Sequence, residues 1–447
     1  MKNVLVLGAG LVARPLLRYL LAHYDHRILV ATLDVPKAQQ SMGEHPRGTI
    51  IHHDVTDIAK TTPLVAEADI VVSLLPAELN VPLAKLAIAL RKPMVNTSYA
   101  APEMWALDGD ARKGGVLILN ELGLDPGLDH MSAIAKVHEI SFSGGRVTDF
   151  ISCCGCFPAQ DANTNPWGYK FSWNPKGVLR AGAQPARFLR KGNTVEVPGG
   201  GSVFDHAWPL EIQGLGIFEM YPNRDSLKYI PLYELEGVTG MFRATLRYPG
   251  WCATMRAIRL LGLFEMEPMA WADGTTFLDV STRLLPKEGG PLSERIARFL
   301  GIAVDSEEMA RIEWLGLFSD RLTNAAHASP MDILLGRMRA LMMYKTGERD
   351  LVAMQHIFTV AYPDGSHEEI RSSLVRTGEP WGDTATSRTV SLPAAIATRL
   401  ILYKGVTAEG VQIPVLREIY EPVLKELAQY GISMEETRAK SFRSPLD

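Results

Sequence analysis

The sequence predicts an α/β protein: an N-terminal Rossmann domain with a parallel sheet, plus an α+β substrate and dimerisation domain carrying a helical insert. Three observations predict it. A short apolar strand at the extreme N-terminus runs into Gly8-Ala9-Gly10 and then into an amphipathic helix. Apolar runs alternate with helical stretches over the first 125 residues. From Val147 the pattern changes to shorter alternating segments separated by Gly, Pro, Asn and aromatic residues.

In order along the chain, the apolar runs at 4–7, 28–32, 70–75, 94–96 and 116–119 read as strands, and 11–23 and 83–90 read as helices. Strand–helix–strand repetition implies parallel pairing through right-handed crossovers. The expected domains are 1–130 for the Rossmann unit and 131–285 with 346–384 for the α+β domain. Residues 286–345 form the insert: Leu, Met, Ala and Arg recur there at helical spacing, with the methionines expected in the core. Residues 351–362 and 367–374 read as two strands joined at Pro363-Asp364-Gly365, which is turn chemistry. Helices within 385–447 are expected to pack back near the first domain.

Composition narrows the function. A chain of 447 residues that is 47% hydrophobic and 21% charged is globular and too long for one core. With 46 basic against 50 acidic residues there is no broad cationic surface, so nucleic acid is not expected as a partner. No apolar run spans a bilayer and no signal peptide opens the sequence, so the expected setting is cytoplasmic, without membrane attachment. Four cysteines do not make a disulfide framework. Asn96-Thr97-Ser98 matches a glycosylation pattern by chance.

Gly8-Ala9-Gly10-Leu11-Val12-Ala13 is GxGxxA between a strand and a helix, the context in which that pattern binds a dinucleotide. Gly8 permits the turn, Gly10 lets the backbone approach a pyrophosphate, and Ala13 lets helix pack on strand. Asp34, at the end of the second strand, is placed to accept hydrogen bonds from ribose hydroxyls, which favours NAD; Lys37 nearby could instead pair with a phosphate, and Asp34 could equally cap a helix. Asp54, Val55 and Leu75 follow later strands, where nucleoside contacts are built. The predicted chemistry is oxidation or reduction of a carbon bonded to nitrogen.

Asn120-Glu121-Leu122-Gly123-Leu124-Asp125-Pro126-Gly127-Leu128-Asp129-His130, with 165–173, 221–225, 245–248 and Gln355-His356, resembles the saccharopine dehydrogenase family along nearly the whole chain. The resemblance implies an enzyme that interconverts saccharopine with L-glutamate and 2-aminoadipate 6-semialdehyde in lysine metabolism. It implies dinucleotide contacts at Ala9–Val12, Leu33, Asp34, Asp54, Val55, Leu75, Thr97, Ser98, Leu124, Asp125, Pro126 and Asn174. Substrate contacts are implied at Ser98, Tyr99, Asp125, Arg224, Thr245, Leu246 and Arg247. It also implies a homodimer. The family's NADP-using members resemble one another in an Arg where this chain has Leu33, so NADP and NAD both stand as cofactors.

Three carboxylates around a secondary amine demand fixed cations, which Arg224 and Arg247 supply. Asp125 is the candidate for proton exchange with the amine, or else a helix cap. Tyr99 suits a carboxylate contact. Adjacent Cys153 and Cys154 point to opposite faces of a strand, so no zinc site is expected, and Cys154 is the second catalytic candidate, with Cys153 and Cys156 as packing residues. Two other readings are weighed: a carboxynorspermidine dehydrogenase type of imine reduction, for which acids in place of Arg224 or Arg247 would speak, and a dinucleotide-binding module without turnover.

Overall fold

Two exposed residues followed by four buried ones make Lys2–Leu7 a strand that enters the protein from its surface and ends in its interior. It pairs in parallel with His26–Thr32 on one side and Ile70–Ser73 on the other. In this computed structural model, which describes residues 1–447 except 24–25, 284, 324–326, 441, 443 and 447, these strands lie inside a seven-stranded sheet. Its order is Gly410–Gln412, Leu117–Leu119, Met94–Asn96, Ile70–Ser73, Lys2–Leu7, His26–Thr32, Gly48–His52. Every neighbouring pair is parallel. The order reverses between Lys2–Leu7 and Ile70–Ser73, which is where open α/β sheets leave a crevice for ligands beyond their carboxyl ends.

This sheet belongs to the first of two compact units, made of Met1–Gly145, Leu232–Glu234 and Arg376–Glu435. Leu5, Leu7, Ala31, Val71, Leu83, Met94, Ile118 and Val411 share its core. Helix Ala13–His23 buries Leu16, Leu17 and Leu20 completely and packs along Ala385–Leu402. Polar contacts fix that pairing. The Ser391 hydroxyl donates to the Val12 carbonyl, and Arg14 lies 3.1 Å from Asp383. The Tyr19 hydroxyl donates to Glu426 at 2.5 Å and accepts from Arg399 at 2.8 Å.

The second unit comprises Arg146–Pro231, Leu235–Val375 and Glu436–Asp447. Its sheet runs Trp208–Ile212, Gly216–Pro222, Gly240–Arg247, Arg146–Pro158, Asp350–Ala361, His367–Thr377, Glu435–Ala439. Arg146–Pro158 pairs parallel with Gly240–Arg247 and antiparallel with Asp350–Ala361, so the sheet is mixed. The turn at 362–366 closes with Tyr362 N–H donating to the Ser366 carbonyl at 2.9 Å. Gly365 takes φ 82°, which a side chain resists. Among the described residues, no helix in either unit is long and apolar enough to cross a membrane.

Helices Leu292–Leu300, Glu307–Leu315 and Pro330–Leu341 lie in the second unit, with Met309, Met331 and Met338 buried in its core. Arg311, 8% exposed, ties the helix Glu307–Leu315 to two distant loops. Its Nε donates to the Pro166 carbonyl at 2.8 Å, Nη1 to the Gly250 carbonyl at 3.3 Å and Nη2 to Glu307 at 2.6 Å. Its own carbonyl accepts from the Trp167 indole at 3.0 Å. Gly250 sits at φ 89°, and a Cβ there would stand 2.2 Å from the guanidinium. Arg311→Leu takes the donor from the Pro166 carbonyl and one of three donors from the Gly250 carbonyl, and the expected cost is about 2 kcal/mol. A lower urea midpoint, followed by the fluorescence of Trp167 and Trp251, is the measurement.

Candidate active site

The turn after Lys2–Leu7 opens the start of a helix. Gly8 has φ 88°, and a Cβ on it would stand 3.0 Å from the Leu75 side chain and 3.3 Å from the Leu74 carbonyl. Its N–H donates to the Ala31 carbonyl at 3.0 Å. A Cβ on Gly10 would meet nothing within 4 Å, so the backbone there faces open space. Ala13, fully buried, starts a helix with no acid in its first turn, leaving the positive end of the helix dipole uncompensated. Ala9 is buried, Val12 half-buried and Leu11 exposed.

Parallel pairing brings the ends of the neighbouring strands to this same edge. Leu33 is 63% exposed. Asp34 accepts from the Lys37 N–H at 3.1 Å and caps Val35–Met42, the capping alternative left open by the sequence. Asp54 is exposed; its carboxylate accepts from the Thr56 N–H at 2.9 Å and the Thr56 hydroxyl at 2.7 Å, which hold its pKa below the ordinary carboxylate value. Val55 belongs to the core, and Leu75 packs partly against it.

A second cluster forms where Met94–Asn96 and Leu117–Leu119 end. Asn96 is 1% exposed and donates to the Asn120 side chain at 2.6 Å, so the glycosylation pattern is buried structure. Thr97, Ser98 and Tyr99 follow, each half-buried. Opposite them the chain reverses through Leu124, a cis peptide at Asp125-Pro126, and Gly127 at φ 144°. A Cβ on Gly127 would overlap the Gly123 backbone at 2.2 Å, so this reversal requires glycine. The Tyr99 hydroxyl donates to Asp125 at 2.5 Å. Asp125 does not cap the following helix: Leu128–Phe142 starts at Gly127 without a side-chain cap, and Asp129 accepts from the Gly127 N–H at 2.6 Å.

In the second unit, Thr245 pairs with Cys154 on one side and Tyr221 on the other. Alternation along the strands then puts Cys154, Cys156, Thr245 and Arg247 on one face, with Cys153 and Leu246 on the other. Cys154 is 6% exposed; Cys153 donates from Sγ to the Gln355 carbonyl at 3.3 Å. Arg247, 5% exposed, lies 4.8 Å from the Tyr169 ring centroid and 5.2 Å from that of Trp251. Nη1 donates to the Leu246 carbonyl at 2.7 Å, Nε has no hydrogen-bond partner, and Arg247 makes no ion pair among the described residues. Its cross-strand neighbour Glu219 instead accepts from the Gly250 and Cys252 N–H groups at 2.6 and 2.9 Å.

Arg224 is half-buried at φ 59°, and the adjacent Asp225 is held by Arg187 through bonds of 2.7 and 3.2 Å. Asn174 accepts from the Lys176 N–H at 3.1 Å and caps Pro175–Ala183. Sequence reasoning missed the aromatic walls of Arg247, although the ring density of 165–173 signalled the one formed by Tyr169. It also gave no role to Glu121, buried at φ 59°, although Glu121 lies in the 120–130 motif.

Residues 4–119 match the family model described as Saccharopine dehydrogenase NADP binding domain, and 123–432 match Saccharopine dehydrogenase C-terminal domain. The chain is 34% identical over 450 residues to Saccharopine dehydrogenase (NADP(+), L-glutamate-forming) of Saccharomyces cerevisiae, covering 97% of this chain and 99% of that protein. The Schizosaccharomyces pombe protein of the same name is 33% identical, with 98% and 99% covered. Alpha-aminoadipic semialdehyde synthase of Bos taurus is 34% identical over 96% of this chain, which spans 47% of that longer protein. The solved apo saccharopine dehydrogenase (L-Glu forming) from Saccharomyces cerevisiae superposes with a TM-score of 0.83 at 32% identity, over 98% of this chain and 100% of that one.

The two glycines separate fold from binding. Gly10→Val projects into open space, so stability changes by less than about 0.5 kcal/mol, while dinucleotide affinity, read by calorimetry, drops at least about 30-fold because the pyrophosphate is displaced. Gly8→Ala forces a strained φ against Leu75 and costs about 1–3 kcal/mol of stability.

Proposed function

The chain belongs to the saccharopine dehydrogenase family, and on that premise we propose that it interconverts saccharopine with L-glutamate and 2-aminoadipate 6-semialdehyde, using NADP(H). The observation that carries the substrate assignment is Arg247. A guanidinium that is 5% exposed and makes no ion pair among the described residues leaves a buried charge to be matched, and a substrate carboxylate matches it in charge and in paired hydrogen bonds. Arg224 supplies a second cation, and the Thr245 hydroxyl supplies a neutral donor.

The open backbone at Gly10 and the acid-free helix start at Ala13 fit a pyrophosphate. Gly8–Ala13, Leu33, Asp34, Asp54, Val55, Leu75, Thr97, Ser98, Leu124–Pro126 and Asn174 are the residues that would hold the dinucleotide. When bound, it supplies the hydride acceptor for the carbon attached to the secondary amine.

In the oxidative direction Asp125 takes the N–H proton of the amine as that carbon loses hydride, leaving a C=N bond. Water adds to the carbon and the C–N bond breaks. The nitrogen regains a proton, which releases glutamate and the aldehyde. The Tyr99 hydroxyl, donating to Asp125 at 2.5 Å, keeps the carboxylate oriented toward that nitrogen. Cys154, beside Thr245 in the sheet, shapes the substrate's surroundings.

A cytoplasmic setting fits four free cysteines, and a homodimer fits the exposed edge strand Glu435–Ala439.

Purified protein given saccharopine and NADP+ is expected to form reduced dinucleotide, followed by absorbance, and glutamate in equal amounts. Arg247→Leu raises KM for saccharopine about 100-fold with cofactor affinity unchanged, and Asp125→Asn lowers kcat by roughly 10² to 10⁴. Failure to turn over saccharopine with either NADP+ or NAD+ would remove this reading.

A further inference from the structure

Behind the Tyr99–Asp125 pair lies a buried polar network to which the mechanism above gives no task. Glu121 is 1% exposed and adopts φ 59°, a left-handed conformation that costs a residue with a side chain about 1–2 kcal/mol. The reversal lets Glu121 grip the segment around Tyr99 from both sides. Its N–H donates to the Ser98 carbonyl at 3.1 Å. Its carboxylate accepts from the Ala100 N–H at 2.9 Å.

The other carboxylate oxygen of Glu121 meets His130 Nε2 at 2.7 Å. His130, with no exposure, is held through Nδ1 by the Tyr233 hydroxyl, and Asp129 lies 3.5 Å from the same nitrogen. Asp129 in turn accepts from the Gly127 N–H at 2.6 Å, two residues beyond Asp125. One continuous network therefore holds both backbone segments that carry the Tyr99 hydroxyl and the Asp125 carboxyl. Two buried carboxylates and a histidine are a costly way to fill a core that apolar side chains would stabilise as well. What they provide is directional bonding at two specific loops.

We infer that Glu121, supported by His130 and Tyr233, is a positioning residue that sets the Tyr99–Asp125 contact. This rests on Asp125 being the proton-transfer group. Glu121 acts through Tyr99 and touches no reacting atom.

The test combines kinetics with amide hydrogen exchange on the full chain. Glu121→Ala lowers kcat about tenfold or more, while NADPH affinity, read by fluorescence, stays within about threefold. Glu121→Gln, which keeps an acceptor for Ala100 and a partner for His130, recovers most of the loss. Tyr233→Phe, which removes only a hydroxyl, lowers kcat about threefold. The double variant of Glu121→Ala with Tyr99→Phe is no slower than the slower single variant, because both act on one contact. Should Glu121→Ala not fold, Tyr233→Phe takes its place in the same cycle. Losses that multiply in the double variant, or an unchanged kcat in Glu121→Ala or its replacement, overturn the inference.

Exchange decides without turnover. Protection of residues 98–100 falls about tenfold in Glu121→Ala, or less steeply in Tyr233→Phe, while the turn at 8–13 is unchanged. Unchanged protection at 98–100 overturns the positioning role whatever the activity. Wild-type protein that fails to turn over saccharopine while showing this exchange pattern counts against the substrate instead.

Discussion

The parallel pairing of Lys2–Leu7 with His26–Thr32 and Ile70–Ser73 is the constraint from which the candidate site follows. Parallel strands all end at one edge, so residues far apart in sequence, Gly10, Asp34, Leu75, Tyr99 and Asp125, reach that edge without any direct contact having to gather them. The Gly8 turn exists because the strand must stop short of Leu75 and still feed a helix, which only a positive φ allows. The opening at Gly10 is then the surface left in front of that helix. Hydrogen bonds from Ser391 and Arg399 in Ala385–Leu402, and from Tyr19 to Glu426, hold this edge from behind, so the helix Ala13–His23 is clamped by the C-terminal part of the chain.

The second unit solves a different problem, that of burying a cation with no ion pair among the described residues. Two aromatic rings flank Arg247, and the acid opposite it in the sheet is committed to a helix start. Rings stabilise a guanidinium through their π faces without neutralising it. The positive charge is thereby kept. Arg311 holds the loops bearing Pro166 and Gly250, close in sequence to the two aromatic residues, so the helix Glu307–Leu315, distant in sequence, helps shape that cage.

How far these features could be read from the residues depended on how local their causes are. The glycine turn, the hairpin at 363–365 and the buried methionines of the helical insert follow from neighbours in sequence, and periodicity reveals them. Two readings of Asp34 were open, ribose contact or helix cap, and the capping bond to Lys37 is now seen. Asp125 also had two readings, and it does not cap the helix, whose first position is taken by Gly127. Local propensity cannot separate a strand-end acid that caps from one that faces a ligand, since the difference lies in where the next loop arrives.

By itself, the sequence determined the α/β class, the strand–glycine–helix cradle and, through its long motifs, the family and its chemistry. All of these are written in short-range pattern or in runs of specific residues. Only the tertiary structure decided that Asn96 is buried against Asn120, that Arg247 lies buried beside two aromatic rings, and that Glu121 turns left-handed to hold the Tyr99 segment. Those facts depend on contacts between residues tens of positions apart. Burial and hydrogen-bond partnership are properties of such contacts, and no residue carries them alone.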